Sequence, residues 1–348
     1  MEQKQKTHLW AFLAVTLLAL IWTALSQHAV YKIQITDALD TVSEITVATE
    51  KNGNVILQQC KAYIEKMDRL FSVNHPESDV SALNKAAGNG RMIEISADTA
   101  RILARAKEYA VETNGFFDVT IGALVDLWNE ADEEEMLPLP EDISAAIHTI
   151  DYQSLQVDLE KNQARLEKTG QQITLGGIGK GYITDGLVSL LLAEGVESAL
   201  INLGGNTYAL GKKTEFSRWR VGIQDPNDPQ RLVGTVLAED QCVITSGDYQ
   251  RYFEIDGERY HHIMNPNTGM SSNSGLKSVT IIAKDATLAD ALSTACFVLG
   301  YSEGANLVAE YEDVQAIFVT DSNTVYYSKD LEEIFTRSHS GYEYKAIS

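Results

Sequence analysis

Asp290 and Thr294 are the residues of this sequence whose types and spacing point most directly to chemistry. They stand four apart in the segment ATLADALSTA, whose apolar spacing predicts a helix that also carries Ser293. Residues at this spacing share one helical face, so a carboxylate and a hydroxyl would be presented together. His262, the second residue of a His-His pair, ends a predicted strand upstream. Carboxylate and hydroxyl oxygens suit hard cations, so these residues predict a site for a cation and a phosphate.

A glycine-dense segment, LGGIGKGYITDG, is placed to hold the phosphate. The pattern predicts a short strand at residues 173–175, a turn at 176–181 and an amphipathic helix at 182–193. A glycine turn before a helix start lets backbone N–H groups face a phosphate. The segment does not fit a P-loop, because Gly181 follows Lys180 where that motif needs Ser or Thr. It also lacks a glycine that the dinucleotide-binding fingerprint needs one position later.

Several of these residues also have a plainer interpretation. Asp290 could be a carboxylate that the helix dipole favours in the first turn. Lys180 could hold the ligand or could be a surface lysine at a helix start. His261 and His262 could be strand-end residues, one pointing inward and one outward, and this interpretation suits His261 better than His262.

The segment GFFDVTIGALVDLW offers a second place for a ligand. Phe117 and Asp118 lie in a predicted turn before an apolar stretch that ends in Trp128. The aromatic pair that includes Phe117 is either a hydrophobic staple onto the core or, with Asp118, a grip on a flat polar ligand. The polar stretch at 72–90 is predicted to lie outside regular structure, and the acidic cluster at 132–135 to be a solvated loop.

The elements that must position these residues alternate between hairpins and single helices. Periodicity predicts a strand at 43–49 and a helix at 55–71, and one hairpin turns near Asn162. A second hairpin turns at Asp256-Gly257 and ends in the His-His pair. Without internal repeats, this order predicts a single mixed α+β domain over residues 31–337, followed by a tail at 338–348, rather than a doubly wound sheet.

Composition limits the partners of the protein. The chain has 348 residues, 44% of them hydrophobic, which is enough for a well-packed core. Its formal net charge of -21 argues against nucleic acid or an anionic membrane surface as a partner, since both need clustered Lys and Arg. The three cysteines are far apart and odd in number, so we expect buried thiols rather than a disulfide framework.

The first 30 residues form a targeting segment. Lys4 and Lys6 precede the uncharged apolar run LWAFLAVTLLALIWTAL, which is either a long signal-peptide core or a short membrane span. Its length, and Trp10 and Trp22 near its ends, favour an uncleaved anchor with the lysines inside. We therefore expect an exported protein held at the cell membrane, with the catalytic domain outside the cytoplasm.

Four segments in order, SVNHPESDVSALN, GFFDVTIGALVDLW, LGGIGKGYITDG and TSGDYQRYFE with HHIMNP and ATLADALSTA, resemble the ApbE family of FAD:protein FMN transferases. The resemblance covers nearly all of the chain after the N-terminal segment. It implies an ApbE-like, T-fold-like α+β domain with largely antiparallel sheets and packed helices. It also implies an enzyme that uses Mg²⁺ to split FAD, attaches FMN to a Thr or Ser of an acceptor protein through a phosphoester, and releases AMP.

The resemblance also implies roles for individual residues. The carbonyl of Gly177 and the side chains of Asp290 and Thr294 would hold the metal, with Ser293 close by. His262 would be the general base, and Lys180 a second catalytic residue that also contacts the cofactor. The remaining FAD contacts implied are Leu39, Asn74, Phe117, Asp118, Thr174 and Met264.

Some positions depart from the family pattern. Thr174 stands before the glycine turn, and Asn265 before Pro266, where similar proteins usually have Asp, and Asp40 replaces a Gly. The loss of two carboxylates leaves the number of metal ions open. An FAD pyrophosphatase, with water in place of the acceptor hydroxyl, needs the same metal site. A binding module that holds FAD without turnover is the alternative that an altered metal site would favour.

Overall fold

The computed structural model describes residues 29–214, 217–338 and 341–347. It opens with a hairpin of strands β1 (Ala29–Ala38) and β2 (Thr41–Thr49). The turn residues Leu39 and Asp40 have φ of 62° and 49°. Two positive φ values give the turn a twist that matches that of the paired strands. The expected alternation of β2 is present, with Ile45 and Val47 buried.

Within the described residues, nine strands form a central sheet. Neighbours pair antiparallel from β1 to β15, and β17 pairs in parallel with β15. The predicted α+β class with largely antiparallel sheets is therefore confirmed. The spatial order is β1, β2, β6 (Ser198–Leu203), β7 (Asn206–Leu210), β10 (Gln241–Gly247), β13 (Leu276–Ala283), β14 (Gln315–Thr320), β15 (Thr324–Ser328) and β17 (Glu343–Ile347).

Smaller sheets surround this central sheet. Two of them have three strands each, and the third is the hairpin that turns at Asp256-Gly257 as predicted. Their strands are β3 (Ile93–Glu94), β5 (Gln163–Leu166) and β4 (Leu155–Asp158); β16 (Phe335–Arg337), β9 (Asp228–Ala238) and β8 (Trp219–Asp225); and β11 (Tyr252–Ile255) with β12 (Glu258–His261).

In chain order the helices are α1 (Gly53–Phe71), α2 (Asp79–Lys85), α3 (Ala97–Glu112), α4 (Gly122–Glu134), α5 (Pro140–Thr149), α6 (Gly179–Ala193), α7 (Ala286–Leu299) and α8 (Tyr301–Val308). Helices α1, α6, α7 and α8 contact the central sheet, whereas α4 and α5 pack on each other. Alternate residues of one strand enter different cores, as a strand with two covered faces requires. In β13, Ile281 joins the core on the helical side and Ile282 the core under β8 and β9.

Three local predictions were wrong. Residues 173–175 form no strand, because the side chain of Asn84 bonds the N–H and carbonyl of Ile173 in place of a strand partner. The polar stretch at 72–90 contains α2, which Ser78 starts by accepting the N–H of Ser81. The acidic cluster is exposed, but it continues α4 to Glu134 rather than forming a loop.

The ends of the chain differ in how far the structure tests them. The C-terminal segment predicted as a tail contains β17, the edge strand of the central sheet, so the folded domain extends beyond residue 337. The predicted anchor lies almost wholly outside the described residues, which begin at Ala29. In the described ranges, no helix has both the length and the apolar character that a membrane crossing needs. Cys60, Cys242 and Cys296 are free and buried, as expected.

Candidate active site

Asp290 lies at the centre of the site, on the face of α7 that packs against α6. Its side chain is only 4% exposed. One carboxylate oxygen, Oδ2, accepts the backbone N–H of Gly181 at 2.9 Å, and Oδ1 accepts the side-chain amide of Asn206 at 3.0 Å. Thr294, one turn later, donates its hydroxyl to the carbonyl of Asp290 at 3.3 Å. The helix thus presents the carboxylate and the hydroxyl together, as the spacing predicted.

The glycine turn meets this helix at Gly177. A Cβ added to Gly177 would lie 3.3 Å from both Thr294 Oγ1 and the ring of Phe117. Gly177 therefore lies next to both the predicted metal-binding hydroxyl and the predicted flavin-binding ring. A larger residue would crowd the Thr294 hydroxyl and the Phe117 ring. The glycine therefore lets the backbone of the turn lie close to α7.

Close packing of α6 on α7 fixes the distance between turn and carboxylate. A Cβ at Gly181 would lie 2.2 Å from the carbonyl oxygen of Ala286, so only glycine fits there. Asp185, one turn further along α6, accepts the N–H groups of Ala286 and Thr287 at 2.9 Å each. Burial, followed by the charge of Asp285, raises the pKa of Asp185. This carboxylate caps the start of α7 and holds it against α6.

His262 directly follows β12 and is solvent-exposed. Its ring atom Nδ1 lies 3.1 Å from the carbonyl oxygen of Arg251, which also accepts the backbone N–H of His262 at 3.2 Å. A carbonyl only accepts hydrogen bonds, so Nδ1 carries the proton and Nε2 has the lone pair in the neutral ring. This is the tautomer that a general base acting through Nε2 requires.

The surroundings of His262 keep its ring neutral. Protein groups that displace water lower its pKa to about 4, and the charges of His261, Lys180 and Arg251 act in the same direction. The hydrogen bond to the Arg251 carbonyl opposes this shift. Solvent still reaches the residue and screens these charges, so they contribute less to the lowered pKa than desolvation does. The Lys180 charge is thus a smaller contribution to the lowered pKa than desolvation of the ring.

His261 has a structural role. It is buried, its Nε2 lies 2.9 Å from the carbonyl oxygen of Ser272, and its Nδ1 accepts the N–H of Ile263 at 3.2 Å. Its ring also meets Phe297 edge-on, with the centroids 5.4 Å apart. Burial lowers its pKa. Both ring nitrogens are used to hold the segment that follows β12, so His261 fixes the base of the hairpin that carries His262.

Phe117 and Asp118 are both buried, but their surroundings differ. Phe117 reaches the glycine turn, as described above. The carboxylate of Asp118 accepts the N–H and the hydroxyl of Thr120 at 2.8 Å each, and the N–H of Tyr152 at 3.0 Å. Burial raises its pKa in spite of these bonds. Asp118 therefore shapes the loop that carries Phe117.

The other predicted cofactor contacts lie on separate elements. Leu39 belongs to the β1–β2 turn, and Arg251 reaches that turn by donating to the carbonyl of Asp40 at 3.1 Å. Asn74 is exposed in the loop between α1 and α2. Thr174 is half-buried, and its N–H donates to the carbonyl of Val119 at 2.9 Å.

Two further predicted residues are buried among other protein groups. Met264 is 6% exposed in an apolar cluster with Trp128 and Tyr260. The hydroxyl of Ser293 donates to the carbonyl of Asp290 at 2.9 Å and lies 2.7 Å from the hydroxyl of Ser246. Ser293 thus joins α7 to β10 next to the site.

The donor set suits one hard cation. Gly177 would offer a carbonyl, Asp290 a carboxylate and Thr294 a hydroxyl, and all three are ligand types that Mg²⁺ accepts. Among the described residues, no group of three or more His, Cys, Asp and Glu side chains could hold a metal. A site with a single carboxylate leaves coordination positions for water and substrate phosphate, which is the usual mode of Mg²⁺ binding.

Asn206 and Asn84 are site residues that the sequence interpretation missed. Asn206 bonds the Asp290 carboxylate, and Asn84 bonds Ile173, which Thr174 and Leu175 separate from the glycine turn. The glycine pair that precedes Asn206 was the one available signal, since paired glycines mark a tight turn next to a strand. For Asn84 there was no signal, because its role depends on a contact between distant segments.

Comparison with known proteins identifies the family. The sequence model of the ApbE family matches residues 39–318. An FAD:protein FMN transferase of Treponema pallidum is 35% identical over 277 residues, which are 76% of this chain and 76% of the relative. An FAD:protein FMN transferase of Klebsiella pneumoniae is 35% identical over 281 residues, or 80% of this chain and 87% of the relative.

Solved structures agree with this comparison. The crystal structure of the ApbE protein of Thermotoga maritima superposes with a TM-score of 0.81 at 31% identity, covering 89% of this chain and 100% of that chain. Apo flavinyl transferase ApbE of Pseudomonas stutzeri gives 0.79 at 28% identity, covering 90% and 98%. The fold is therefore that of the flavin transferases. The chain belongs to the ApbE family.

Proposed function

We propose that this protein is an FAD:protein FMN transferase that uses Mg²⁺ and attaches FMN to a Thr or Ser hydroxyl of an acceptor protein. The names of its relatives support transfer of FMN from FAD to a protein. The observation that carries the chemistry is the state of His262. It is an exposed imidazole with its proton on Nδ1 and a pKa that desolvation, with smaller effects from nearby charges including Lys180, lowers enough to keep the ring neutral.

The proposed reaction is a displacement at the FMN phosphorus of FAD. Nε2 of His262 takes the proton of the acceptor hydroxyl as the hydroxyl oxygen bonds to that phosphorus. The bond from this phosphorus to the bridging oxygen breaks, and AMP leaves with the electron pair. Lys180 places positive charge where negative charge develops. Mg²⁺ held by Gly177, Asp290 and Thr294 would neutralise charge on the phosphate oxygens.

The flavin would lie against the ring of Phe117, next to the glycine turn at residues 176–181. Its ring contacts Gly177, so a flavin beside Phe117 would bring its phosphates towards the glycine turn. The aromatic ring of Phe117 and the thioether of Met264 are both groups that pack favourably against a flat ring system. The remaining proposed contacts are Leu39, Asn74, Asp118, Thr174 and Met264.

FAD hydrolysis is the second candidate, because the exposure of His262 lets water take the place of the acceptor hydroxyl. One assay separates the two reactions. The protein is incubated with FAD, Mg²⁺ and a candidate acceptor domain, and both AMP release and flavin fluorescence on a denaturing gel are followed. We expect a fluorescent acceptor band together with AMP. AMP and free FMN without a labelled acceptor indicate hydrolysis, and the absence of both products would contradict both enzyme activities.

We also propose that the protein is exported and anchored to the membrane by its N-terminal segment, with the enzyme outside the cytoplasm. Lys4 and Lys6 before an uncharged apolar run support this topology. The FAD and the acceptor would then meet the enzyme on the outer side of that membrane.

A further inference from the structure

The turn between β6 and β7 delivers one side chain to Asp290. Gly204 and Gly205 form this turn with φ of 58° and 97°. A Cβ at Gly204 would lie 2.3 Å from the hydroxyl oxygen of Thr41, so the turn packs directly on β2. Asn206 is the first residue after it, at the start of β7. Positive φ and close packing together explain why two glycines precede Asn206.

Asn206 is held against the carboxylate in the interior. It is 2% exposed, and its side-chain N–H₂ donates to Asp290 Oδ1 at 3.0 Å. Gly181 donates to the other oxygen at 2.9 Å. The carboxylate plane is thus fixed from two sides, by the central sheet and by α6. Each carboxylate oxygen can accept more than one bond, so both retain acceptor capacity for a cation.

We propose that Asn206 is a positioning residue of the cation site, which orients Asp290 without contacting the metal; this inference rests on the proposed function. Without the amide, Asp290 would keep one of its two described side-chain partners and could rotate about its side-chain bonds. Groups that orient a metal ligand typically contribute 10–100-fold to metal affinity. The amide also favours Asn over Asp at position 206, since a second carboxylate there would repel Asp290.

The test measures Mg²⁺ alone, without FAD, by calorimetric titration of the full chain in detergent. We expect Asn206→Leu, which keeps the side-chain size and removes the donor, to weaken Mg²⁺ binding about 10–100-fold. Asn206→Ala is the second variant, in case the leucine disturbs packing, and near-ultraviolet circular dichroism verifies the fold of both. Thr207→Val is the matched control, because neighbouring strand residues point to opposite faces and it should bind like the wild type.

A second readout separates positioning from general damage. In the transfer assay, the Mg²⁺ concentration for half-maximal rate should rise by the same factor in both Asn206 variants, while kcat at saturating Mg²⁺ recovers to within about twofold of the wild type, since the metal ligands themselves remain. Unchanged Mg²⁺ affinity in both variants would overturn the inference. A wild type that binds no Mg²⁺ would overturn it together with the metal site. If Mg²⁺ binding depends on Asn206 but no acceptor is labelled, the inference stands and the transferase activity fails.

Discussion

At the scale of single residues, the proposed role of His262 as a base requires a neutral ring, and its lowered pKa meets this requirement. A histidine of ordinary pKa is partly protonated near neutral pH. The pKa of His262 is lower, chiefly because of desolvation and to a smaller extent because of charges that include Lys180. A general base works only when it is unprotonated. Activity should therefore be present above the lowered pKa of His262 and lost as the pH falls through it.

The direction of the pKa shift of His262 leads to a prediction for Lys180→Gln. The substitution removes one of the charges that lower the pKa of His262, so the acidic limb of kcat/KM for FAD should move from near pH 4 towards the ordinary value of about 6.5. The measurement is the rate against pH in both proteins. Lys284→Gln, which removes an exposed lysine paired with Asp313, is the control and should leave the limb in place.

His262→Ala anchors the same experiment. Loss of a general base typically costs 10²–10⁴-fold in rate, and FAD binding should persist because the variant retains Lys180 and the glycine turn. The role of His262 as base would be refuted by a variant that transfers FMN at the wild-type rate. An acidic limb at the same pH in Lys180→Gln and in the wild type would refute the influence of Lys180.

At the scale of elements, the contact between α6 and α7 decides whether the site forms. Gly181 brings the two helices together, and Asp185 caps α7 from α6. The hydrogen bond from Gly181 to Asp290 exists only at this separation. The same chain position therefore serves packing and the cation site at once.

Gly181→Ala tests this contact, with Gly179→Ala as its match in the same helix. The added Cβ at Gly181 overlaps backbone and should cost about 1–3 kcal/mol of unfolding free energy. At Gly179 the nearest atom lies 3.8 Å away, so that variant should stay close to the wild type. Denaturant unfolding measures stability, and Mg²⁺ titration measures the site. Equal stability of the two variants would contradict this prediction, because it would show that α6 can move away from α7 at no cost in unfolding free energy.

Much of the segment from residue 173 to the end of α6 could be predicted from the sequence. The part that depends on tertiary contacts could not. The helix after the glycine turn followed from apolar spacing, although it begins at Gly179 rather than at residue 182. Residues 173–175 were predicted as a strand, but Ile173 pairs with the side chain of Asn84 on α2. Local pattern indicates which residues are buried and does not indicate what pairs with them.

At the scale of the whole molecule, the chemical residue types were visible early and their neighbours were not. Asp290 and Thr294 could be singled out because cation chemistry needs hard oxygen donors, whereas Gly177 followed from the resemblance to the ApbE family. Asn206 could not, since an asparagine after a turn usually serves the turn itself. Its contact with Asp290 depends on the order of strands in the central sheet, which the sequence does not specify locally.

The N-terminal segment gives a prediction at this scale. The full chain should sediment with membranes and dissolve only in detergent, because Lys4 and Lys6 precede an apolar run that is just long enough to span a bilayer. A chain that starts at Ala29, where β1 begins, should stay in the soluble fraction and retain FMN transfer. Membrane fractionation checks both proteins. A full chain that remains soluble without detergent would contradict the anchor.

The pairing of β2 with β6 has a consequence for the order of folding. Ser43 pairs with Leu203, and helices α1 to α6 all lie in the chain between these strands. The entropy of closing so long a loop is lost before the strand contacts that compensate for it have formed. Such pairings are therefore slow to form. β6 leads directly into the turn before Asn206, so the strand that carries this partner of Asp290 follows the long-range pairing in the chain. We therefore expect the Asp290 carboxylate to gain its second partner, Asn206, late in folding.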